Sequence, residues 1–359
     1  MNRLEDIIQN KIRKSGPLSI SHYMEICLFH NRYGYYMKKN PIGKKGDFTT
    51  SPEISQVFGE LIGVWMIHTW STMGEPKCFN ILELGPGRGT LMKDIWRSTK
   101  FCPKFQKAAN ILLYDRSRVL IEDQEVNLEG VSVKWLKSLK SIPRNPTISI
   151  ANEFFDALPI NQFLFKNNTW FEKKVALNKN GGIGFDFFKT DQVELLKDPL
   201  VEKKDVFFER SELQIETIKY LSENLRKVIG CLLIIDYGGE YGQADTLQGM
   251  YQNKYCHFLE RPGDIDLTSH VDFGILSDNA KYFGANPSKI VTQRHFLKKM
   301  GVFERFEKLM QFLPENRRLT QKLALNKLVA EDQMGTLFKV LAIKSKDAPN
   351  IYPFSFDHG

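Results

Sequence analysis

From Ile81 to Leu91 the chain reads Ile-Leu-Glu-Leu-Gly-Pro-Gly-Arg-Gly-Thr-Leu: an apolar run carrying a carboxylate, then a glycine-rich turn, then the start of a helical pattern. That order describes a strand, a ligand-hugging loop and a helix, the repeating unit of an α/β sheet. Gly85, Gly87 and Gly89 stand at alternate positions, so the backbone can turn tightly and approach a ligand with no Cβ in the way. Leu91, Met92, Ile95 and Trp96 give the helix an apolar stripe. The ligand is expected against main chain, with Glu83, Gly85, Pro86, Gly87 and Gly89 as binding residues.

Spacing selects among ligands. A dinucleotide fingerprint needs a small residue at the sixth place, which here is Thr90, while the third glycine falls at the fifth. That disfavours NAD. The Glu-x-Gly-x-Gly-x-Gly form resembles motif I of the class I S-adenosylmethionine (SAM) methyltransferases, whose loop wraps the amino acid part of the cofactor. The second half of that pattern is expected one βα unit later, and Ile111-Leu112-Leu113-Tyr114-Asp115 supplies it. Asp115 is the expected acceptor for the ribose hydroxyls.

At 359 residues the chain exceeds a usual single core, so an α/β domain of about 200 residues with additions is expected. The net charge is +8, but lysines and arginines interleave with acids and form no block with stacking aromatics. A solvated basic surface is expected, and nucleic acid is not an expected partner. Five cysteines, with no Cys-x-x-Cys pair, read as reduced and mostly buried thiols. No metal is expected. Early acids Glu5 and Asp6 fit neither a signal peptide nor an acid-poor transit peptide, and no run reaches membrane-spanning length. The bacterial cytoplasm is the expected setting.

Residues 1–75 are expected to form a helical extension and a cofactor-covering loop. Leu4, Ile7, Ile8 and Ile12 share one helical face, and a second helix follows from Ile20 to Phe29. Ser51 is placed to cap a helix with Pro52 and Glu53 in its first turn, running on through Val57, Leu61 and Trp65. Gly59 and Gly63 leave a flat face on it, read as packing. The domain proper is expected over 76–345, with insertions at about 162–190, a hairpin, and about 241–271, a polar lid or substrate wall. Residues 346–359 read as a loose tail. A fourth strand, Thr147 to Ala151, delivers Asn152-Glu153-Phe154-Phe155-Asp156 to the carboxyl edge, where open parallel sheets bind ligands.

Several long motifs occur in one order: Gly46-Asp47-Phe48-Thr49-Thr50-Ser51-Pro52-Glu53-Ile54-Ser55, Glu83-Leu84-Gly85-Pro86-Gly87-Arg88-Gly89, Asn152-Glu153-Phe154-Phe155-Asp156-Ala157-Leu158-Pro159, Asp236-Tyr237-Gly238 and Met334-Gly335-Thr336-Leu337-Phe338-Lys339. Across residues 3 to 344 the chain resembles the MidA-type protein arginine methyltransferases, which include mitochondrial complex I assembly factor 7. The resemblance implies a class I SAM-dependent, Rossmann-like sheet with a helical N-terminal extension and insertions after strands four and five. It implies SAM as cofactor and, for mitochondrial members, symmetric ω-N-dimethylation of an arginine in the 49 kDa-type subunit of complex I. Relatives commonly carry Glu where this chain has Asp115, one methylene shorter.

Methyl transfer from a sulfonium is an in-line displacement, so the protein mainly positions the nucleophile. An arginine guanidinium, with a pKa above about 12, is a poor nucleophile because its lone pairs are delocalised. Carboxylates bonded to it would localise its charge away from the attacking nitrogen and receive the proton. Glu153 and Asp156 are the expected catalytic acids. Asn152 is expected at the cofactor carboxylate or the substrate backbone, and Asp47 on a loop folding over the cofactor. A SAM-binding assembly factor with little turnover is a second reading, and a small-molecule or nucleic-acid methyltransferase a third. The Asn-Pro-Pro-Tyr type of motif that stacks an amino-bearing base is absent.

Overall fold

The computed structural model describes residues 3–38, 50–191, 206–242 and 244–356. Its centre is a sheet whose strands, from one edge, run Val133–Leu136, Ala109–Tyr114, Phe79–Leu84, Thr147–Asn152, Gly230–Gly239 and Phe338–Lys344, with short pieces Asn286–Pro287 and Val291–Thr292 beyond. The first five are parallel, and Phe338–Lys344 lies antiparallel between Gly230–Gly239 and the edge. Ile81, Leu82, Ile148, Ile150, Leu232 and Leu233 are all buried, as expected for strands covered on both faces. This is the doubly wound α/β sheet expected from the sequence.

The order is built outward from Phe79–Leu84, first towards Val133–Leu136 and then back through Thr147–Asn152. The crevice at such a reversal is where open α/β sheets hold ligands. Register places Leu84 beside Tyr114 and Ala151, and Ile235 beside Asn152. Gly85, Asp115 and Glu153, which follow three of these strands, therefore emerge on one edge, with Asp236 beside them as the residue after Ile235.

Helices Gln56–Thr72 and Thr90–Ser98 cover one face. A Cβ at Gly59 would meet Asp94 Cβ at 2.6 Å, and one at Gly63 the Ser98 hydroxyl at 2.3 Å, so both glycines serve packing. The expected single helix from Ser51 is instead two. Ser51–Ile54 starts at Thr50, and Ser55, with extended backbone, breaks it and caps Gln56–Thr72 by accepting from Val57 N–H at 3.2 Å. The Ser55 hydroxyl thereby satisfies one of the amides that the start of a new helix leaves without a helical partner.

The first insertion is larger than the expected hairpin. Asn161–Lys166, Thr169–Leu177 and Ile183–Lys189 join Val206–Arg210 and the N-terminal Leu18–Ser19 in a five-stranded antiparallel sheet. Two strands alone are marginal in water, and the additions let Phe163, Trp170 and Phe208 form a satellite core. Residues 248–268 form a three-stranded sheet.

The tail up to Phe356 is not loose. Ile351, Phe354 and Phe356 are buried, Phe354 stacks on Phe296 at 5.6 Å, and Trp65 Nε1 donates to Tyr352 O at 2.9 Å. Burying such side chains is worth about 1.5–3 kcal/mol each, which outweighs the polarity that made the segment read as a tail. All five cysteines are free, but Cys27 and Cys231 alone are fully buried, and Cys78 is exposed. Among the described residues no helix is long and apolar enough to cross a membrane.

Candidate active site

The glycine loop is a left-handed turn three times over, with φ of +61° at Gly85, +54° at Gly87 and +79° at Gly89. Gly85, Pro86 and Gly87 line a cleft at the carboxyl edge of the sheet. Gly89 does not; it caps the Thr90–Ser98 helix and packs on Gln124. A Cβ at Gly85 would stand 2.7 Å from the Phe154 ring, which closes over the loop.

Among the described residues four carboxylates line this cleft: Glu53, Glu83, Asp115 and Glu153. Glu83 is buried, its Oε2 has no hydrogen-bond partner, and burial pushes its pKa up to about 8, with the Asp115 charge adding to the rise. Asp115 is pushed up to about 6 by burial, against bonds that hold it down. Its Oδ1 accepts from Ser117 N–H at 2.8 Å and its Oδ2 from Gln124 Nε2 at 2.9 Å.

Gln124 went unrecognised from sequence. Its amide also donates to Gly87 O at 2.8 Å and its carbonyl accepts from Trp135 Nε1 at 2.8 Å, so it ties the glycine loop to Asp115. The available signal was its place one turn after Leu120, a polar residue on the buried stripe of Arg118–Asn127. The shorter acid at 115 is thereby braced.

Glu153 adopts φ +50°, a left-handed conformation rare for a non-glycine residue and costly by about 1–3 kcal/mol. Its Oε1 accepts from Ser51 N–H at 2.7 Å and Asn152 Nδ2 at 3.2 Å, while burial pushes it up to about 7. Asn152 lines the cleft too, and its buried Oδ1 is unpartnered. The loop is held from below by Asp236, whose Oδ2 accepts from the amides of Phe154, Phe155 and Asp156 at 3.2, 3.0 and 3.3 Å. Burial and the neighbouring Asp156 and Glu153 charges raise Asp236 well above the ordinary carboxylate range. Asp236 was visible only as part of a motif, since its role depends on strand register.

Asp156 does not line the cleft, and this corrects its expected place beside Glu153. It is buried in the turn after Glu153 with its Oδ1 unpartnered, pushed up to about 6 by burial with the Tyr237 hydroxyl opposing, and its backbone O accepts from Ser269 N–H at 3.1 Å. Asp47 lies outside the described residues. The N-terminal extension, which carried no visible chemistry, supplies Phe29 and Tyr36 to the cleft wall. Arg116 stacks over the Phe29 ring at 4.2 Å and pairs with Glu25.

The cleft suits a cationic ligand of SAM's shape. Glu83 Oε2 and Asn152 Oδ1 are acceptors awaiting donors, Asp115 is placed for hydroxyls, and the glycine loop gives close main-chain approach. Since Glu83 and Asp115, the acids placed for the cofactor, sit at about 8 and 6, a bound cation draws protons off them. SAM affinity should therefore rise with pH between about 6 and 8, by up to about tenfold per unit per proton released. Calorimetry in buffers of different ionisation enthalpy reads that release; a pH-independent affinity would contradict it.

The family model described as "Putative S-adenosyl-L-methionine-dependent methyltransferase" matches residues 61–291. The mitochondrial protein arginine methyltransferase NDUFAF7 homolog of Caenorhabditis elegans is 32% identical over 96% of this chain and 87% of its own length. The Mus musculus protein of that name is 33% identical over 93% and 82%. A crystal structure of a COG1565 superfamily member from Burkholderia thailandensis, bound to S-adenosyl-homocysteine, superposes with a TM-score of 0.85 at 21% identity, covering 99% of this chain and 95% of that one.

Proposed function

This chain belongs to the S-adenosyl-L-methionine-dependent methyltransferase family that includes the NDUFAF7 arginine methyltransferases, and we propose that it methylates an arginine ω-nitrogen of a protein. The observation that carries this reading is Glu153, a carboxylate held by Ser51 N–H in a strained loop that faces the cleft from the strand next to the glycine loop.

When bound, SAM supplies an electrophilic methyl carbon on a sulfonium and leaves as S-adenosylhomocysteine. Glu83, the glycine loop, Asp115 and Asn152 would hold it. Glu153 accepts hydrogen bonds from the guanidinium, drawing its positive charge towards the bonded nitrogens and enriching the one that attacks. As the new N–C bond forms, that nitrogen sheds a proton, which Glu153 takes at its carboxylate. Asp236 keeps the loop amides fixed, so the acid does not reorganise during transfer.

Asp115→Ala should weaken SAM binding by about 1.5–3 kcal/mol, the worth of a charge-assisted contact, with calorimetry as the measurement. Unchanged affinity would take Asp115 out of the site.

The acceptor we favour is the complex I 49 kDa-type subunit, dimethylated symmetrically, in a bacterial cytoplasm; the named relatives that support the arginine are mitochondrial. Incubation with methyl-tritiated SAM and protein or RNA fractions, including that subunit, tests the reading. Label recovered as methylarginine supports it. Label in RNA or a small molecule overturns it, and SAM binding without transfer favours the assembly-factor reading.

A further inference from the structure

Gly238 of the Asp236-Tyr237-Gly238 motif and Leu337 of the 334–339 motif have no part in the cofactor cleft, yet both line a second cavity, of about 220 Å³. The segment after Glu153 divides the two spaces. Phe154, Ala157 and Leu158 line the cleft, while Phe155 O accepts from the Gln214 amide at 2.8 Å and Pro159 O from the Ser211 hydroxyl at 2.7 Å. Ser211 and Gln214 line the cavity. Helix Glu212–Leu225 likewise gives Leu213 and Thr217 to the cleft and Gln214 to the cavity. The cavity therefore lies across this loop from the cofactor's seat.

Two glycines keep it open. Gly239 and Gly242 line it, and nothing stands within 4 Å of a Cβ built on either. Gly16, Gly74, Gly130 and Gly181 have the same space, but each has a positive φ that favours glycine. Gly239 and Gly242 lack that φ, so neither backbone conformation nor close packing calls for glycine there. What glycine preserves at these two positions is the empty space.

We propose that this cavity is an acceptor subsite that takes an uncharged aliphatic side chain flanking the methylated arginine. Ile160, Val271, Ile275 and Leu337 supply an apolar wall, and Leu337, 46% exposed, carries that wall to the surface where a protein chain can enter. The size suits one large side chain and falls below the roughly 300–1,000 Å³ of a pocket for a whole small-molecule ligand. Charge points the same way. Glu209 Oε1 accepts from Gln162 Nε2 at 2.6 Å and Thr246 N–H at 3.0 Å, and its Oε2 from the Thr246 hydroxyl. Asp272 Oδ1 accepts from Tyr241 and Ile275 N–H and its Oδ2 from Gly242 N–H, each at 3.0 Å. These carboxylates in the wall are engaged, so they do not reward a basic side chain, and they repel an acidic one. Burial and Lys339 lower the His270 pKa, so its ring is uncharged near neutral pH and can hydrogen-bond the acceptor's main chain. Binding energy gained in the cavity holds the arginine at Glu153 without touching the reacting atoms.

This subsite rests on the arginine reading above. Its test compares wild type with Gly239→Leu, which fills the cavity from a position free of steric and backbone cost, and with Leu337→Asp, which charges its exposed rim. Calorimetry reads SAM affinity. Tritiated methyl transfer is followed on a bacterial protein fraction and on short peptides with one central arginine whose flanking positions carry leucine, glycine, aspartate or lysine in turn. Wild type should favour leucine over aspartate or lysine at one flanking position by about tenfold or more. Gly239→Leu should lose about tenfold or more in methylarginine formation, through KM and not kcat, and shift its preference to glycine there, with SAM affinity within about twofold of wild type. Leu337→Asp should erase the preference for leucine. Wild-type activity and preference in both variants, or a fall in SAM affinity that tracks the loss, overturn the subsite while leaving arginine methylation intact. Where the peptides are too short to be methylated, the protein fraction decides by the same loss or its absence. No methylarginine from wild type removes the arginine reading, and the subsite with it. Should Gly239→Leu fail to fold by thermal melting, Leu337→Asp decides: lost preference or activity with SAM still bound supports the subsite, and wild-type behaviour overturns it.

Discussion

Glu153→Gln is expected to lower turnover on arginine by about two orders of magnitude while SAM affinity stays within about twofold of wild type. Glutamine keeps the side chain's shape and can still accept from Ser51 N–H through its carbonyl oxygen. It loses the charge that polarises the guanidinium and the site that takes the proton, both of which matter most in the transition state. Steady-state turnover beside calorimetric SAM binding separates the two roles, and a parallel loss of both would make Glu153 a cofactor residue. The pH profile adds a second reading. Burial holds Glu153 at about 7, and only its ionised form polarises the acceptor, so wild-type turnover should climb as pH rises through about 7. Residual activity of the glutamine variant should lack that limb.

What could be read from sequence, and what could not, divides by the range of the interaction concerned. The glycine loop, Asp115 and Glu153 follow from local grammar: an apolar strand, a break, and a polar residue delivered to the edge. Asp236 closes an apolar run in the same way, but its bonds to the amides of Phe154, Phe155 and Asp156 exist because Ile235 pairs with Asn152, a register no local pattern states. Asp156 was misplaced for the same reason. It is three residues from Glu153, in the turn whose amides Asp236 holds, and it is not among the residues that line the cleft. Gln124 has a role only through three partners distant in the local pattern, Gly87, Asp115 and Trp135. Phe29 and Tyr36 reach the cleft only because Ile20–Phe29 packs with the insertion strands and the Ser117 hydroxyl holds Tyr36 O. Buried aromatics in the tail make the same point, since Phe354 has no reason to be ordered until Phe296 is beside it.

Gly87→Leu should abolish SAM binding, by about a hundredfold or more, in a protein that still folds. The position has φ +54° and lines the cleft, so a side chain there brings two separate penalties. Left-handed backbone costs a non-glycine residue about 1–2 kcal/mol, which a domain stable by about 5–15 kcal/mol can absorb. The second penalty is spatial: the added atoms occupy the space over which main chain would meet the ligand, and no repacking of the loop restores it while Gln124 holds Gly87 O. Gly16→Leu separates the two. Gly16 has φ +80° and nothing within 4 Å of a built Cβ, so that variant carries backbone strain alone and should melt a few degrees lower while binding SAM as wild type does. Gly85→Ala should differ again, because its Cβ at 2.7 Å from Phe154 displaces the ring beside Glu153 as well as crowding the ligand. Should Gly87→Leu bind SAM with wild-type affinity, the glycine loop is not the cofactor's seat.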